Sequence, residues 1–351
     1  PPYMAVSNAD AKVNDYVKKN FPDSKADLFA VFIERCGQMA RHAGIISMIT
    51  QQSFFFLSGL ETLRRKFEDI SIFINAIHMG IGAFGTDFGT VAFVALNSNL
   101  SEYIGEYIYL GDEKSVDEKE KLFISGYAPK YLHSITDFSV LPNNTYSYMI
   151  TPKTLTHFKD EPLSHCFVSG GRNKTHNDEK YLRLHWEISD FSSKWVPYGK
   201  GGEFRRWYGN EYYVVDWSES ARNAYAAHGG LCNPKFWGHT GITWSFVTSY
   251  KPSFRYKQEN MIYSSVSPTI FRNDFTFDYF IIALLNSNVG GHFLNIISST
   301  IGTNVGEVLN FPVLKKSEDE VEQISEQNIK MSRYDWDSYE ISRDFKRNPL
   351  V

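Results

Sequence analysis

The chain has 351 residues, 42% hydrophobic and 22% charged, which suffices for two domains with cores of their own and excludes wholesale disorder. A formal net charge of −4 excludes a protein that coats nucleic acid through its overall field, so any nucleic-acid surface must be local. Three widely spaced cysteines, Cys36, Cys166 and Cys232, argue against a disulfide framework or a cysteine-built zinc module and for a reducing cytoplasm.

Pro1-Pro2-Tyr3 opens the chain. Two prolines fix their own φ and remove two donors, leaving a rigid loop with free carbonyls beside an aromatic ring. Such a loop suits a flat polar ligand such as an extruded base, although position alone favours a disordered start. From Ala26 to His42 the apolar residues Leu28, Phe29, Phe32, Ile33, Cys36, Met39 and Ala40 recur at helical spacing, and Gly44 ends the run. Gly44 to Thr50 is apolar on both faces, as expected of a central strand in a covered parallel sheet. Ser58-Gly59-Leu60-Glu61 has the form of a capping box opening a helix through Phe67, and Ser71 to His78 reads as a strand.

Gly80-Ile81-Gly82-Ala83-Phe84-Gly85 matches G-x-G-x-x-G, but the β-branched run Val91 to Leu96 follows it where a dinucleotide site needs a helix. A glycine-rich hairpin is the better reading, with Phe84 and Phe88 at the rim of the sheet near the opening loop. These elements make the second half of a doubly wound α/β domain over residues 1–110.

Residues 111–165 carry charged runs and polar turns and are expected to form a connector. A β-rich α+β domain follows over 166–313, with strands at Trp195–Gly199, Tyr212–Val215 and Thr243–Val247, helices from Asp278 to Asn286 and on to about Ile297, and a Pro-limited strand at Leu309–Val313. Residues 314–351 read as a helical tail with an acidic, solvated face.

Aromatics reach 16%, with 27 Phe, 21 Tyr and 7 Trp, which suits either base stacking or an aromatic core. Between Lys235 and Gln258, Lys235, Lys251, Arg255 and Lys257 interleave with rings and with no acid before Gln258. Lys200, Arg205 and Arg206 flank Trp207 and Tyr208. Cations among stacking rings fit a groove that follows a DNA backbone, and a solvated strand face explains them equally well. Hydrolytic motifs are weak; the triplet Asp178-Glu179-Lys180 has no clear acidic partner. Ten scattered histidines show no ligand pairing, so no metal is expected, and no apolar run reaches the roughly 18 residues of a membrane span.

Pro1-Pro2-Tyr3, the stretch Ser24 to Cys36 and the strand after it resemble adenine-specific DNA methyltransferases with an N-P-P-Y motif, in particular those of BREX phage-defence systems, which are related to type IIG restriction-modification enzymes. The resemblance continues through Gly170-Gly171-Arg172-Asn173, through Lys194 to Gly209 and through Asp335 to Ser338. It implies S-adenosylmethionine as cofactor, double-stranded DNA as partner, and other defence-system subunits as further partners. It also implies that the Pro1 carbonyl accepts from the adenine amine while Tyr3 stacks on the ring, with Phe84 and Phe88 as further base-pocket groups. The motif's Asn and the glycine-rich cofactor loop would precede Pro1. The expectation is therefore an internal piece of a longer enzyme, inactive by itself, with cofactor contacts upstream. A non-catalytic DNA-recognition module is the alternative.

Overall fold

The computed structural model describes residues 1–84, 88–189, 194–248, 251–297, 302–313 and 319–348. The chain divides into two compact units, Pro1–Lys159 and Asp160–Val351.

In the first unit Asp10 caps α1 (Ala11–Asn20) by accepting from Val13 N at 3.0 Å. Asp27 caps α2 (Leu28–Met39), and its Oδ1 also accepts from Met4 N at 3.1 Å. One carboxylate thus starts a helix and pins the opening loop. Leu28 N donates to Met4 O at 3.0 Å, so the loop is ordered by its backbone as well. After β1 (Ile45–Gln51) come a short turn of helix, α3 (Ser53–Phe56), and then α4 (Glu61–Ile70). The expected capping box is not formed: Ser58–Leu60 is a 3-10 turn and Leu60, with no side-chain acceptor, precedes the helix.

The sheet has the order β1-β3-β2-β4-β5, with β2 at Ile72–Gly80, β3 at Thr90–Leu96, β4 at Ile104–Tyr109 and β5 at Lys130–Ser134. β3 lies antiparallel between β1 and β2, with Thr50 opposite Val91 and Gly80 opposite Thr90. Among the described residues of this sheet, only β2 and β4 pair in parallel. The pairing of β1 among the described residues is antiparallel, with β3, where Gly44–Thr50 was expected to have parallel neighbours. Among the described residues β1 pairs with β3 alone, and Ile45 and Ile49 are 58% and 43% exposed while Ile46 and Thr50 are buried. An isoleucine-rich run states only that both faces tolerate apolar side chains, not what covers them.

The glycine-rich turn after β2 leads into β3, as a hairpin should; Gly80 and Gly82 take φ of +67° and +86°, and Gly85 lies outside the described residues. Of the expected connector over 111–165, residues 111–159 belong to this unit and 160–165 to the second. α5 (Val116–Ser125), opened by a Ser115/Glu118 capping box, leads to β5, which extends the sheet, and α6 (Pro152–His157) follows. Phe138, Tyr146 and Tyr148 are buried. Tyr146 meets Phe55 and Phe73 edge-on at 5.4 Å each, within a core that also holds Phe54, Phe67, Phe93 and Tyr107. Much of the aromatic excess is therefore core.

The second unit contains two four-stranded sheets. One has the order β11-β10-β13-β6 and the other β12-β8-β9-β7. Their strands are β6 (Phe167–Val168), β7 (Leu182–Leu184), β8 (Trp195–Gly199), β9 (Tyr213–Asp216), β10 (Gly241–Trp244), β11 (Phe254–Lys257), β12 (Ile262–Tyr263) and β13 (Thr269–Arg272). The helices are α7 (Asp178–Tyr181), α8 (Glu219–Ala227), α9 (Tyr279–Asn286), α10 (Asn288–Ile297), α11 (Val305–Leu309) and α12 (Asp319–Asp337). No strand forms at Leu309–Val313: α11 ends there, and Pro312 makes only an isolated bridge to Pro162. The expected tail is part of the unit, since α12 packs against α9 and its Trp336 is 1% exposed. Asn286 completes α9 and acts as a strand partner, accepting from Phe254 N and donating to Phe254 O at 2.9 Å each. Among the described residues no single helix is long and apolar enough to cross a membrane.

Candidate nucleic-acid interface

The opening loop is a defined structure. Pro1 and Pro2 are exposed, and Tyr3 is half-buried with its hydroxyl donating to Ile49 O in β1 at 3.4 Å. Its ring stands edge-on to Phe29 at 6.3 Å and at 89° to Phe88 at 5.1 Å. Phe88 is thus brought beside Tyr3 although 85 positions separate them in sequence. Phe84, 57% exposed, is on the same hairpin. Two rings at right angles, beside the exposed Pro1 and Pro2, form a corner in which one ring can stack on a flat ligand and the other meet its edge.

Behind this corner runs a buried chain of polar groups. His78 Nε2 lies 2.7 Å from Gln52 Oε1 and Nδ1 2.7 Å from Tyr148 Oη. Burial, aided by Lys119, pushes the His78 imidazolium down to about 4, and burial raises the Tyr148 phenol. The neutral ring therefore donates from Nε2 to Gln52 and accepts at Nδ1 from Tyr148. Gln52 in turn crowds Gly89: a Cβ there would meet Gln52 Oε1 at 1.8 Å. The residue next to Phe88 must then be glycine for the Gln52–His78 pair to stand.

This arrangement has a pH consequence. With its folded pKa below the unfolded value of about 6.5, His78 contributes stability that is present above pH 6.5 and lost as pH falls through 4. Protection of the Gly89–Val91 amides, taken relative to their intrinsic exchange rates, is expected to fall over that window. His78→Gln, which cannot charge, should flatten the dependence.

The cations singled out from sequence fall into two groups. Arg255 and Lys257 are 1% exposed, which corrects their expected place in a DNA groove. Arg255 Nη2 donates to Ser245 Oγ at 3.2 Å, and Lys257 Nζ donates to His239 O at 2.7 Å and Gln258 O at 2.9 Å. Burial lowers them to about 10 and about 7. β11 is covered on both faces, so alternation along it offers neither cation to solvent. Lys200 pairs with Asp178, which also ties the Asp178-Glu179-Lys180 triplet to a structural role, and Arg205 pairs with Asp335 at 3.1 Å while lying 5.0 Å over Trp336. Lys235 is exposed beside the Phe236 ring. Arg206 and Lys251 line a cavity of about 440 Å³ with Asn288, His292 and Asn295.

Residues 1–80 match the family described as the Eco57I restriction-modification methylase. Over its full length the chain is 32% identical to the adenine-specific methyltransferase PglX of Lacticaseibacillus casei (strain Zhang), of which it covers 32%. It is 29% identical to the adenine-specific methyltransferase BrxX of Escherichia coli O9:H4 (strain HS), covering 30%. The chain is a homologue of these methyltransferases. It spans about a third of the length of these curated relatives. Its fold is similar to that of the type IIL restriction-modification enzyme MmeI, solved in complex with DNA, with a TM-score of 0.62 at 13% identity over 100% of this chain and 50% of that one. The Eco57I match contains Tyr3, α2, β1 and β2, so the corner's proline loop lies inside it and Phe88 just beyond it.

Sequence reasoning missed the Gln52–His78–Tyr148 chain, because its members come from three elements and no local pattern joins them. The nearest sequence signal was Gly89, a glycine at the start of an otherwise β-branched run.

Proposed function

We propose that this chain forms the base-holding corner and the target-recognition unit of a site-specific DNA adenine-N6 methyltransferase in a phage-defence or restriction-modification system. The observation that carries this is the right-angled Tyr3–Phe88 pair beside the exposed Pro1-Pro2 loop, inside or next to the Eco57I match. Adenine N6 is a poor nucleophile because its lone pair is delocalised into the ring. An enzyme acting on it extrudes the base and holds the amine with acceptors. Here the Pro1 carbonyl accepts from N6, the Tyr3 ring stacks on the purine and Phe88 meets its edge, with Phe84 at the rim. The Tyr3–Ile49 bond and the Asp27–Met4 bond hold these groups in place before the base arrives, which is where positioning lowers a barrier.

S-adenosylmethionine is the methyl donor of this enzyme class. The residues present do not fit a role in holding it: the glycine turn at Gly80–Gly82 leads into a strand, so it offers no helix N-terminus to an anion or a carboxylate. No step is assigned to this chain through the donor, and the 351 residues alone are expected to transfer no methyl group. Double-stranded DNA is the partner of the second unit, through Arg206, Lys235 and Lys251 in place of the buried Arg255 and Lys257.

The test is N6-methyladenine mapping in cells expressing the complete gene that carries these residues. Tyr3→Ala removes a stacking face worth about 1–3 kcal/mol, so methylation should fall roughly tenfold to a hundredfold, while Tyr3→Phe retains most of it. Wild-type methylation by Tyr3→Ala would overturn the assignment.

A further inference from the structure

A cleft of the second unit holds cations that the sequence stripe did not suggest. It measures about 630 Å³ and is lined by Ser169, Arg172, Lys174, Phe246, Ser265 and Asn304 among others, with no acid in its wall. Among the described residues the side chains of Arg172 and Lys174 make no hydrogen bond or ion pair. Lys200, Arg205, Arg255 and Lys257, by contrast, are each engaged internally. In a chain of net charge −4, two unpartnered cations facing one concave, hydroxyl-lined space mark a place for an anionic ligand.

The loop that carries them is built rigidly. Gly171 takes φ +93°, and a Cβ on Gly170 would meet the Tyr263 hydroxyl at 2.4 Å and the Phe236 ring at 2.5 Å, so this backbone needs both glycines. Between the two cations Asn173 points inward, 2% exposed, donating to Tyr263 O at 3.0 Å and accepting from Cys232 N at 3.1 Å. Lys174 N donates to Gly230 O at 2.8 Å. The inward residue is clamped and its two neighbours are left facing the cleft.

We infer that this cleft is the sequence-reading site for double-stranded DNA, with Arg172 on a base edge and Lys174 on the adjoining phosphate. The inference rests on the second unit being a DNA-binding unit. A planar guanidinium on a fixed loop presents two parallel donors, which match the O6 and N7 acceptors of guanine in the major groove. A lysine presents a point charge, which suits a phosphate and carries no sequence information. Ser169 and Ser265, able both to donate and to accept, supply the remaining base-edge or phosphate contacts.

The experiment is selection of bound duplexes from a library with a randomised core, using the 351-residue chain, with thermal unfolding as a check that each variant folds. Wild-type chain is expected to enrich a motif containing a G·C pair. Arg172→Lys keeps the charge and loses the fork, so discrimination at that one pair should fall roughly tenfold to a hundredfold with the other positions unchanged. Lys174→Gln should weaken binding to all sequences alike and reduce the salt slope by about one. Arg172→Lys that selects the wild-type motif with undiminished discrimination overturns the inference, as does wild-type binding with no motif. If the wild-type chain binds no duplex at all, the DNA reading of the second unit fails and this inference with it.

Discussion

Arg64→Ala is expected to destabilise the first unit by about 3–5 kcal/mol, from three carbonyls left without donors at about 1–3 kcal/mol each, offset in part by relaxation. Arg64 is 0% exposed, and its guanidinium donates to Asn144 O at 2.9 Å, Phe54 O at 2.9 Å and Asn143 O at 2.7 Å. One side chain thus ties α3 and α4 to residues some 80 positions later. Burial lowers it to about 10, so it remains a cation at neutral pH. Truncation leaves three carbonyls without donors and a cavity beneath Phe54 and Tyr146. Arg64→Lys should recover only part of the loss, because an ammonium cannot span three carbonyls set around a planar fork. Hydrogen exchange at Phe54–Leu57 and Tyr146–Tyr148 is the measurement that localises it. Tryptophan fluorescence is the complement, since all seven tryptophans lie in the second unit. Wild-type protection in Arg64→Ala would refute the clamp.

Asn173→Ala should cost the second unit about 2–6 kcal/mol, from two buried backbone groups left unpaired at about 1–3 kcal/mol each. Those groups are Cys232 N–H and Tyr263 C=O, and both residues are at most 5% exposed. The Tyr198 hydroxyl, which donates to Asn173 O at 3.2 Å, is also held by this loop. The signature is loss of exchange protection at Cys232 together with a lowered urea midpoint. At temperatures where the variant still folds, its base preference at the pair read by Arg172 should blur while its salt dependence persists, because the loop has lost its anchor and kept its charges. A sharp, wild-type motif in a folded Asn173→Ala chain would separate the loop's anchoring from its reading.

The places where sequence and structure diverge share a cause. Gly44 to Thr50 was legible as a strand because its apolar run is local, whereas its antiparallel pairing depends on β3, some 40 residues on. Trp195–Gly199 was read residue for residue. The connector and tail were misjudged because Tyr146 and Trp336 are buried by partners far away in sequence, and charged, weakly periodic segments give no sign of that. The cationic stripe misled for the same reason: charge is visible in sequence, but whether a cation faces water or a carbonyl is not.

By itself the sequence determined such elements as the helix at Leu28–Met39 and the strand at Trp195–Gly199, the hairpin in place of a dinucleotide turn, and the family resemblance carried by Pro1-Pro2-Tyr3 and the block around Trp207. These rest on local periodicity, φ preference and motif identity. Only the tertiary structure decided that Phe88 stands at right angles to Tyr3, that Arg255 is spent on the buried Ser245 hydroxyl and Lys257 on internal carbonyls, and that Arg172 and Lys174 are not so engaged. Each of those is a question of which distant backbone supplies the partner, and burial makes that choice with nothing in the neighbouring residues to announce it.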